Sequence, residues 1–511
     1  MINRRTVLMA ATAAAAGCAN APSGGANSGA DEEFRDLVTR MADRPRTARP
    51  FLLRRFDANR LTPEGRVLYE TLGPGIDADA ALMRFGYGES GFPYPVSHRN
   101  GLYQRLGAGR ADEDFAALAR GVVRETAALR GDAARGVIPP DFIIEATLPR
   151  VEAAAARLSA SAEPDRLRLG EALAAQAEAL RALLPQAGEE PGVWRLPDGE
   201  EFYAWALQFN LGAARDAREA HAEALEKCHA LQAQADRLLR GHGLSQDDVG
   251  ARLRALARDT AYLYDDTPEG KARAVADMNA HIARVRPLIE APFRNLQLPP
   301  AQVNLLPPAQ EAGGAGGRRT GLTYFVDLGA IRRRPAWSLP SVALHETLPG
   351  HMLQSTLEAA ADPPLLQRRY ASGFSEGWAT YAEILADECG AYDDDPLGRL
   401  GCLQWLLFRM ARVVADTGVH VMRWDRARAV SEMRRIQGDS IAFVSIEDDV
   451  TRIAAQPGAV AAQGLATLHL LALREQARRG ARFDFAGFHG AVLRHGPLSP
   501  PGLEAAVRAR T

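Results

Sequence analysis

The segment SVALHETLPGH at residues 341–351 carries the residue types of a metal centre. His345 and His351 can each offer an imidazole nitrogen to a metal ion, and Glu346 stands next to the first of them. Zinc hydrolases often combine an apolar stretch with a His-Glu pair and a second histidine, because the adjacent carboxylate can accept a proton from activated water. The pattern predicts zinc ligands at His345 and His351 and a catalytic base at Glu346.

The spacing of the two histidines requires a distortion of the helix that carries them. Side chains six residues apart lie about 240° apart around a regular α-helix and would face away from each other. Pro349 removes a backbone donor and Gly350 tolerates unusual backbone conformations. A two-residue distortion there would return His351 to the side of His345; without it, His351 would only cap a helix or pack.

A second acidic run, GFSEGWATYAE at residues 373–383, can supply a third metal ligand. Glu376 is the preferred ligand, and Glu383 lies near the same face of the predicted helix. Glu383 remains an alternative ligand, or a partner that orients one of the histidines. The competing interpretation of Glu376 is a surface glutamate at a helix N-terminus, where the helix dipole favours negative charge.

The elements that must position these residues are mostly helical. Apolar residues at three- and four-residue spacing predict helices over 110–130, 149–158, 164–184, 213–240, 341–360, 374–389, 397–417, 426–437 and 464–479. The best strand candidate is 321–327. Many helices and few strands predict a mainly α fold with a small β-sheet.

The 511-residue chain divides at a Pro- and Gly-rich stretch, 298–319. We expect an N-terminal helical region over 32–300 and a catalytic region with the metal site over 301–511, together forming one continuous fold. The net charge of −2 gives no reason to expect a nucleic-acid partner.

The N-terminus is typical of an export signal. Paired arginines at 4 and 5 precede a short apolar stretch, and Ala-Ala-Gly-Cys ends at Cys18. This resembles a twin-arginine signal with a lipobox, which predicts a signal peptide over 1–17, lipidation of Cys18 and a flexible tether over 18–31. The protein would then be periplasmic and attached to a membrane only by lipid; a signal cleaved at another small residue is the alternative.

Two further blocks extend the metal motif into a family resemblance. The pattern His-Glu-x-x-Pro-Gly-His at 345–351, followed by Glu-Gly-Trp-Ala-x-Tyr-Ala-Glu at 376–383, resembles the bacterial domain-of-unknown-function family 885. Similar likeness extends to the block Arg-x-x-Arg-x-x-x-Asp-Thr-Gly-x-His at 409–420 and to FDFAGFH at 483–489. That family is grouped with the gluzincin metallopeptidases, which implies a large α-helical zinc-peptidase-like fold with a deep cleft.

The resemblance implies a zinc-dependent peptidase of short peptides. His345, His351 and Glu376 would hold zinc, and Glu346 would be the base. Four further residues are expected around the cleft: His420 and Arg452 as donors to an oxyanion, and Tyr324 and Asp327 in a strand that receives the substrate. Structural roles remain open for two of them: His420 would cap a helix, and Arg452 would pair with Asp448 or Asp449.

The chain departs from the family pattern near its C-terminus. The family's late tyrosine falls at Gln463, and its Arg-Tyr pair falls at Arg452 and Ile453. Two alternatives to a peptidase therefore stay open. One is a metal-dependent hydrolase of an ester or a non-peptide amide, and the other is a lipoprotein that binds metal without catalysis.

Overall fold

The structure, a computed structural model, describes residues 28–108, 114–311, 316–439, 441 and 443–510. The predicted signal peptide and Cys18 lie outside the described residues. The first described helix begins at Ser28, so residues 28–31 of the predicted tether are helical. No helix within the described ranges is long and apolar enough to cross a membrane.

The region before the sheet is built from helices whose apolar faces pack together. Side chains of Thr62, Asp114 and Asp216 accept hydrogen bonds from backbone N–H groups at the starts of three of these helices. The helices are α1 (Ser28–Met41), α2 (Arg49–Arg55), α3 (Pro63–Leu82), α4 (Phe115–Ala133), α5 (Asp141–Ser159), α6 (Pro164–Leu183), α7 (Gly199–Leu211), α8 (Ala217–Gly241), α9 (Val249–Arg258) and α10 (Pro268–Ile289).

A three-stranded sheet follows, formed by β1 (Gln302–Leu305), β2 (Gly317–Thr320) and β3 (Thr323–Val326). The strand order is β1-β3-β2, with β3 parallel to β1 and antiparallel to β2. The predicted strand at 321–327 is therefore the central strand. Both of its edges are already paired, so the prediction that it receives a substrate strand is wrong; in the described sheet, β2 lies at the edge nearer the metal motif.

The remaining helices follow the sheet in the chain, and three of them carry the predicted metal residues. They are α11 (Leu339–Glu346), α12 (His351–Ala361), α13 (Leu365–Tyr370), α14 (Phe374–Glu388), α15 (Pro396–His420), α16 (Arg426–Gln437), α17 (Ile446–Ala455), α18 (Ala459–Arg478), α19 (Phe485–Leu493) and α20 (Pro500–Arg510). The mainly α fold with a small sheet is confirmed.

One large hydrophobic core contains residues from both regions of the chain. Phe34 of α1, Trp378 of α14 and Leu503 of α20 all belong to it. Helix α15 is buried along most of its length, so the polar residues on it are held away from bulk water. Buried polar groups need partners, and two arginines of α15 find carboxylate partners: Arg409 contacts Glu376 at the predicted metal site, and Arg412 contacts Asp449.

Candidate metal centre and its cavity

The structure brings His345, His351 and Glu376 into one cluster. One potential ligand atom from each lies within 4.8 Å of the others. His345 Nε2 is 3.6 Å from Glu376 Oε2, and His351 Nε2 is 3.4 Å from Glu376 Oε1. Two imidazoles and one carboxylate form the protein ligand set of many catalytic zinc sites, which leave a position for water or substrate. The donor set therefore fits a zinc ion.

A break between two helices produces this geometry. Helix α11 ends at Glu346 and α12 begins at His351, so the predicted single helix over 341–360 is wrong, while the predicted distortion is confirmed and spans four residues. At Gly350, a β-carbon would lie 2.0 Å from the carbonyl oxygen of His345. Only glycine fits this close approach of two backbone segments.

The outward nitrogens of both imidazoles have partners. Glu383 Oε1 lies 2.7 Å from His345 Nδ1, and the hydroxyl of Ser341 donates to the other oxygen of Glu383. Ser375 Oγ lies 3.1 Å from His351 Nδ1. Such contacts fix the tautomer and direct each Nε2 towards the metal position. Glu383 is thus placed as an orienting partner of His345.

Arg409 on α15 sets the charge of the cluster. Its Nη1 lies 2.9 Å from Glu376 Oε2, and its Nη2 lies 3.2 Å from His345 Nε2. Burial raises the pKa of Glu376, but Arg409 and the two histidines more than offset this and hold it well below its usual range. Glu376 is therefore ionised, as a metal ligand must be.

The two imidazoles differ in their protonation. Burial lowers the pKa of His351, which favours its neutral form. Burial also lowers the pKa of His345, but hydrogen bonds to Glu376 and Glu383 outweigh it and raise the pKa to about 9. A metal ion that binds at His345 would therefore compete with a proton for this imidazole.

Glu346 lies beside the cluster without belonging to it. Its side chain is 20% exposed and forms an ion pair with Arg319 of β2. Glu346, His345 and Glu376 all line one cavity of about 220 Å³. The carboxylate can therefore reach a water molecule or substrate in the cavity while the cluster holds a metal.

The structure separates the two predicted substrate residues. Tyr324 lines the cavity, and its hydroxyl donates to the carbonyl of Gly316 at 2.6 Å. Asp327 is fully buried, and its Oδ1 accepts a hydrogen bond from the backbone N–H of Gly329 at 2.8 Å. Asp327 is not among the residues lining the cavity, so it shapes the turn after β3 and its predicted contact with substrate is wrong.

His420 is likewise not brought to the cavity. The backbone N–H of Val193 donates to its Nδ1 at 3.1 Å, and its Nε2 donates to the carbonyl of Ile453 at 3.1 Å. Its ring stacks on Tyr203 in the core. Because both nitrogens are used and the side chain is fully buried, the prediction that His420 donates to an oxyanion is wrong.

Arg452 does line the cavity. Of its two expected structural partners, Asp449 is held by Arg412 through two hydrogen bonds of 2.6 and 2.8 Å, and Asp448 accepts a hydrogen bond from the hydroxyl of Ser445. Burial lowers the pKa of Arg452 to about 10, and the nearby charges of Arg412 and Arg99 contribute to this. Arg452 therefore remains available to a ligand.

Sequence reasoning missed several residues of the site. Arg409 contacts two of the proposed ligands, and its position at the start of the block at 409–420 was the available signal. Arg334 and Trp405 also line the cavity, without any sequence signal that separates them from core residues. Gln463, where the family's tyrosine falls, lies in the cavity wall as well.

The model of the family described as bacterial protein of unknown function (DUF885) matches residues 41–507. The chain belongs to this family. A comparison with curated proteins found no match.

Two solved structures have a fold similar to that of this chain. A protein described as a lipoprotein, from Colwellia psychrerythraea, superposes with a TM-score of 0.76 at 23% identity, covering 94% of this chain and 90% of that chain. Another, described as a lipoprotein of unknown function from Shewanella oneidensis, has a TM-score of 0.69 at 18% identity, covering 94% of this chain and 93% of that chain. At these identities the likeness establishes a shared fold.

Proposed function

We propose that this DUF885 protein is a zinc-dependent hydrolase of short peptides, related to the gluzincin metallopeptidases. The observation that carries the proposal is the cluster of two imidazole nitrogens and one ionised carboxylate, with Glu346 beside it in the same cavity. A structural metal site has no need of a further carboxylate, beyond its ligands, in the same cavity, whereas a hydrolytic one does.

Some residues of the site would bind the metal ion or orient its ligands, and another would transfer the proton. A zinc ion bound here would act as a Lewis acid towards a water molecule and the scissile carbonyl group. Glu346 would accept the proton of the attacking water and return it to the leaving amine. Glu383 and Ser375 would keep the imidazoles in their binding orientation, and Arg409 would keep Glu376 ionised.

The sheet edge suggests how a peptide would lie. Strand β2 is exposed along its length and has no strand partner on the side away from β3 among the described residues. Arg319 of β2 touches Glu346, so a peptide added to this edge would pass the proposed base. A cavity of about 220 Å³ suits a short, unfolded segment better than a folded protein.

We further propose that the protein is exported and attached to a membrane through a lipid on Cys18. The support is the lipobox-like sequence before Cys18 and the description of two structural neighbours as lipoproteins. Radiolabelled palmitate should be incorporated into the wild-type chain and not into Cys18→Ala; equal incorporation would overturn the assignment.

Cleavage of a mixed peptide library tests the enzymatic proposal. Wild-type protein reconstituted with zinc should cleave, and Glu346→Gln should lower kcat by roughly 10²–10⁴-fold, because it removes the acceptor of the proton. Glu226→Gln on the exposed side of α8 is the matched control and should keep full activity. Unchanged cleavage by Glu346→Gln, or no cleavage by the wild type, would contradict the proposal.

A further inference from the structure

The wall of the cavity beside the metal cluster is rich in arginine. Arg334, Arg409, Arg412 and Arg452 all line it. Arg409 pairs with Glu376, and Arg412 pairs with Asp449. In the described part of the chain, neither Arg334 nor Arg452 forms an ion pair, so the wall carries positive charge that no protein carboxylate directly neutralises.

The hydrogen bonding of these two arginines is also incomplete. Arg334 is only 3% exposed, and its Nε and Nη2 have no hydrogen-bond partner; the same holds for Nε of Arg452. A buried cation without a hydrogen-bonded partner costs free energy. Proteins tolerate such groups at sites where a bound ligand supplies the missing hydrogen bonds.

Other guanidinium groups add to the positive charge near Arg452. The charges of Arg412 and Arg150 add to burial in lowering the pKa of Arg99, which shows that these guanidinium groups lie within electrostatic reach of one another. Asp449 is fully buried, and both of its oxygens are engaged by Arg412. An anionic group of a ligand would therefore be attracted to the cavity at Arg452.

An aromatic surface adjoins the arginines. The rings of Trp405 and Phe443 stack with centroids 5.8 Å apart and planes within 5°, and Phe408 packs edge-on against both. Trp405 and Phe443 line the cavity together with Val342. The cavity thus offers an apolar surface next to a cationic one.

We infer that Arg452 binds the C-terminal carboxylate of a peptide substrate while Trp405 and Phe443 contact its last apolar side chain, which makes the protein a carboxypeptidase. This inference rests on the proposed function. Water would add across the peptide bond: its oxygen forms the new carboxylate, the C–N bond breaks, and a proton passes through Glu346 to the released amine. The products are a shortened peptide and a short C-terminal fragment.

Arg452 lies within electrostatic reach of Glu376, which places the bound carboxylate close to the metal cluster. An internal peptide segment has no negative charge at that position unless a side chain supplies one. The arrangement therefore favours cleavage at the end of a chain over cleavage within it. This role assigns Arg452 to the substrate's carboxylate and not to the oxyanion.

Paired substrates test the inference on the wild-type protein reconstituted with zinc. Peptides ending in Phe or Leu should be cleaved with a kcat/KM about 10–100-fold higher as free acids than as C-terminal amides, because hydrogen bonds to charged groups are the stronger ones. Equal rates for acid and amide would overturn the inference and leave the proposed function standing. No cleavage of either would overturn the proposed function itself.

A second pair of substrates distinguishes the source of the carboxylate. Amidated peptides ending in Glu or Gln differ only in a side-chain charge. We expect both to be poor substrates. Preference for the Glu amide over the free acid ending in Phe would show that the arginine wall recognises an acidic side chain, and the C-terminal assignment would be overturned.

Variants separate substrate binding from a role in the chemical step. Arg452→Gln should raise KM for the free acid by about tenfold or more, and this increase should be much larger than the increase for the amide. The matched control, Arg120→Gln on the exposed face of α4, should retain the discrimination. An equal fall in kcat for acid and amide would assign Arg452 to the oxyanion instead.

Binding provides a readout that does not depend on turnover. In a Glu346→Gln background, calorimetry should show tighter binding of the free acid than of the amide, and Arg452→Gln should remove the difference. Circular dichroism of each variant checks that the fold is kept; if Arg452→Gln does not fold, Arg452→Lys replaces it. Equal binding of acid and amide by the folded Glu346→Gln protein would contradict the inference.

Discussion

Two parts of the site differ in how many of their polar atoms have hydrogen-bond partners within the protein. We call the part formed by His345, His351 and Glu376 the metal side, and the part formed by Arg334 and Arg452 the arginine side. On the metal side, Glu383 and Ser375 engage the outward nitrogens of both imidazoles. On the arginine side, nitrogens of Arg334 and Arg452 lack any hydrogen-bond partner, and so does Nε of Arg409, whose other two nitrogens contact the metal cluster. We infer that the protein alone orients the imidazoles of the metal side, and we propose that a bound ligand completes the hydrogen bonding of the arginine side.

The largest expected effect, on the free energy of unfolding, comes from removing a negative charge that compensates the buried arginines. Asp449→Asn leaves Arg412 buried without its carboxylate, close to Arg452 and Arg99. Breaking a buried ion pair on one side typically costs about 3–5 kcal/mol, so the free energy of unfolding should fall by that order. Denaturant-induced unfolding measures the change.

The neighbouring aspartate supplies the control for this experiment. Asp448 is exposed, and Asp448→Asn should change the free energy of unfolding by less than about 1 kcal/mol. A similarly small change for Asp449→Asn would mean that the arginine side tolerates the lost carboxylate, and the contrast between the two sides would disappear.

A smaller effect is expected from loosening the metal side. Glu383→Gln keeps an acceptor for His345 Nδ1 but removes the negative charge, and such changes typically lower metal affinity about 10–100-fold. Competition with a chelator of known affinity measures zinc binding. Glu388→Gln on the same helix is the control, because Glu388 pairs with Arg474 away from the cavity.

Two other outcomes for Glu383→Gln would change the account. Affinity equal to that of the wild type would show that the orienting contact does not stabilise the metal side. Complete loss of zinc from a folded variant would make Glu383 a direct ligand, the alternative that the sequence left open.

Local sequence patterns predicted much of the helical content. The helix predicted over 426–437 has the same bounds as α16, and the predicted helix over 374–389 corresponds to α14. These segments have regular apolar spacing and clear ends. The predicted helix over 341–360 was wrong because Pro349 and Gly350 interrupt an otherwise helical pattern.

Those residues of the site that belong to a recognisable motif could be predicted from the sequence. The positions of residues that depend on contacts between segments far apart in the chain could not. His345, His351 and Glu376 follow from spacing and resemblance. The place of β3 in the sheet depends on how β1 and β2 return to it, and periodicity within one strand carries no such information. His420 belongs to a motif block, but only the packing of α15 against Tyr203 shows that it faces the core.

The metal content of the purified protein tests the central claim most directly. We expect about one zinc per chain in the wild type and in Glu346→Gln after reconstitution, and none in His345→Ala. This result would show that His345 is needed for metal binding and that Glu346, the proposed base, is not. No bound metal in any of the three proteins, or equal metal in all three, would contradict the assignment of His345, His351 and Glu376 as a metal centre.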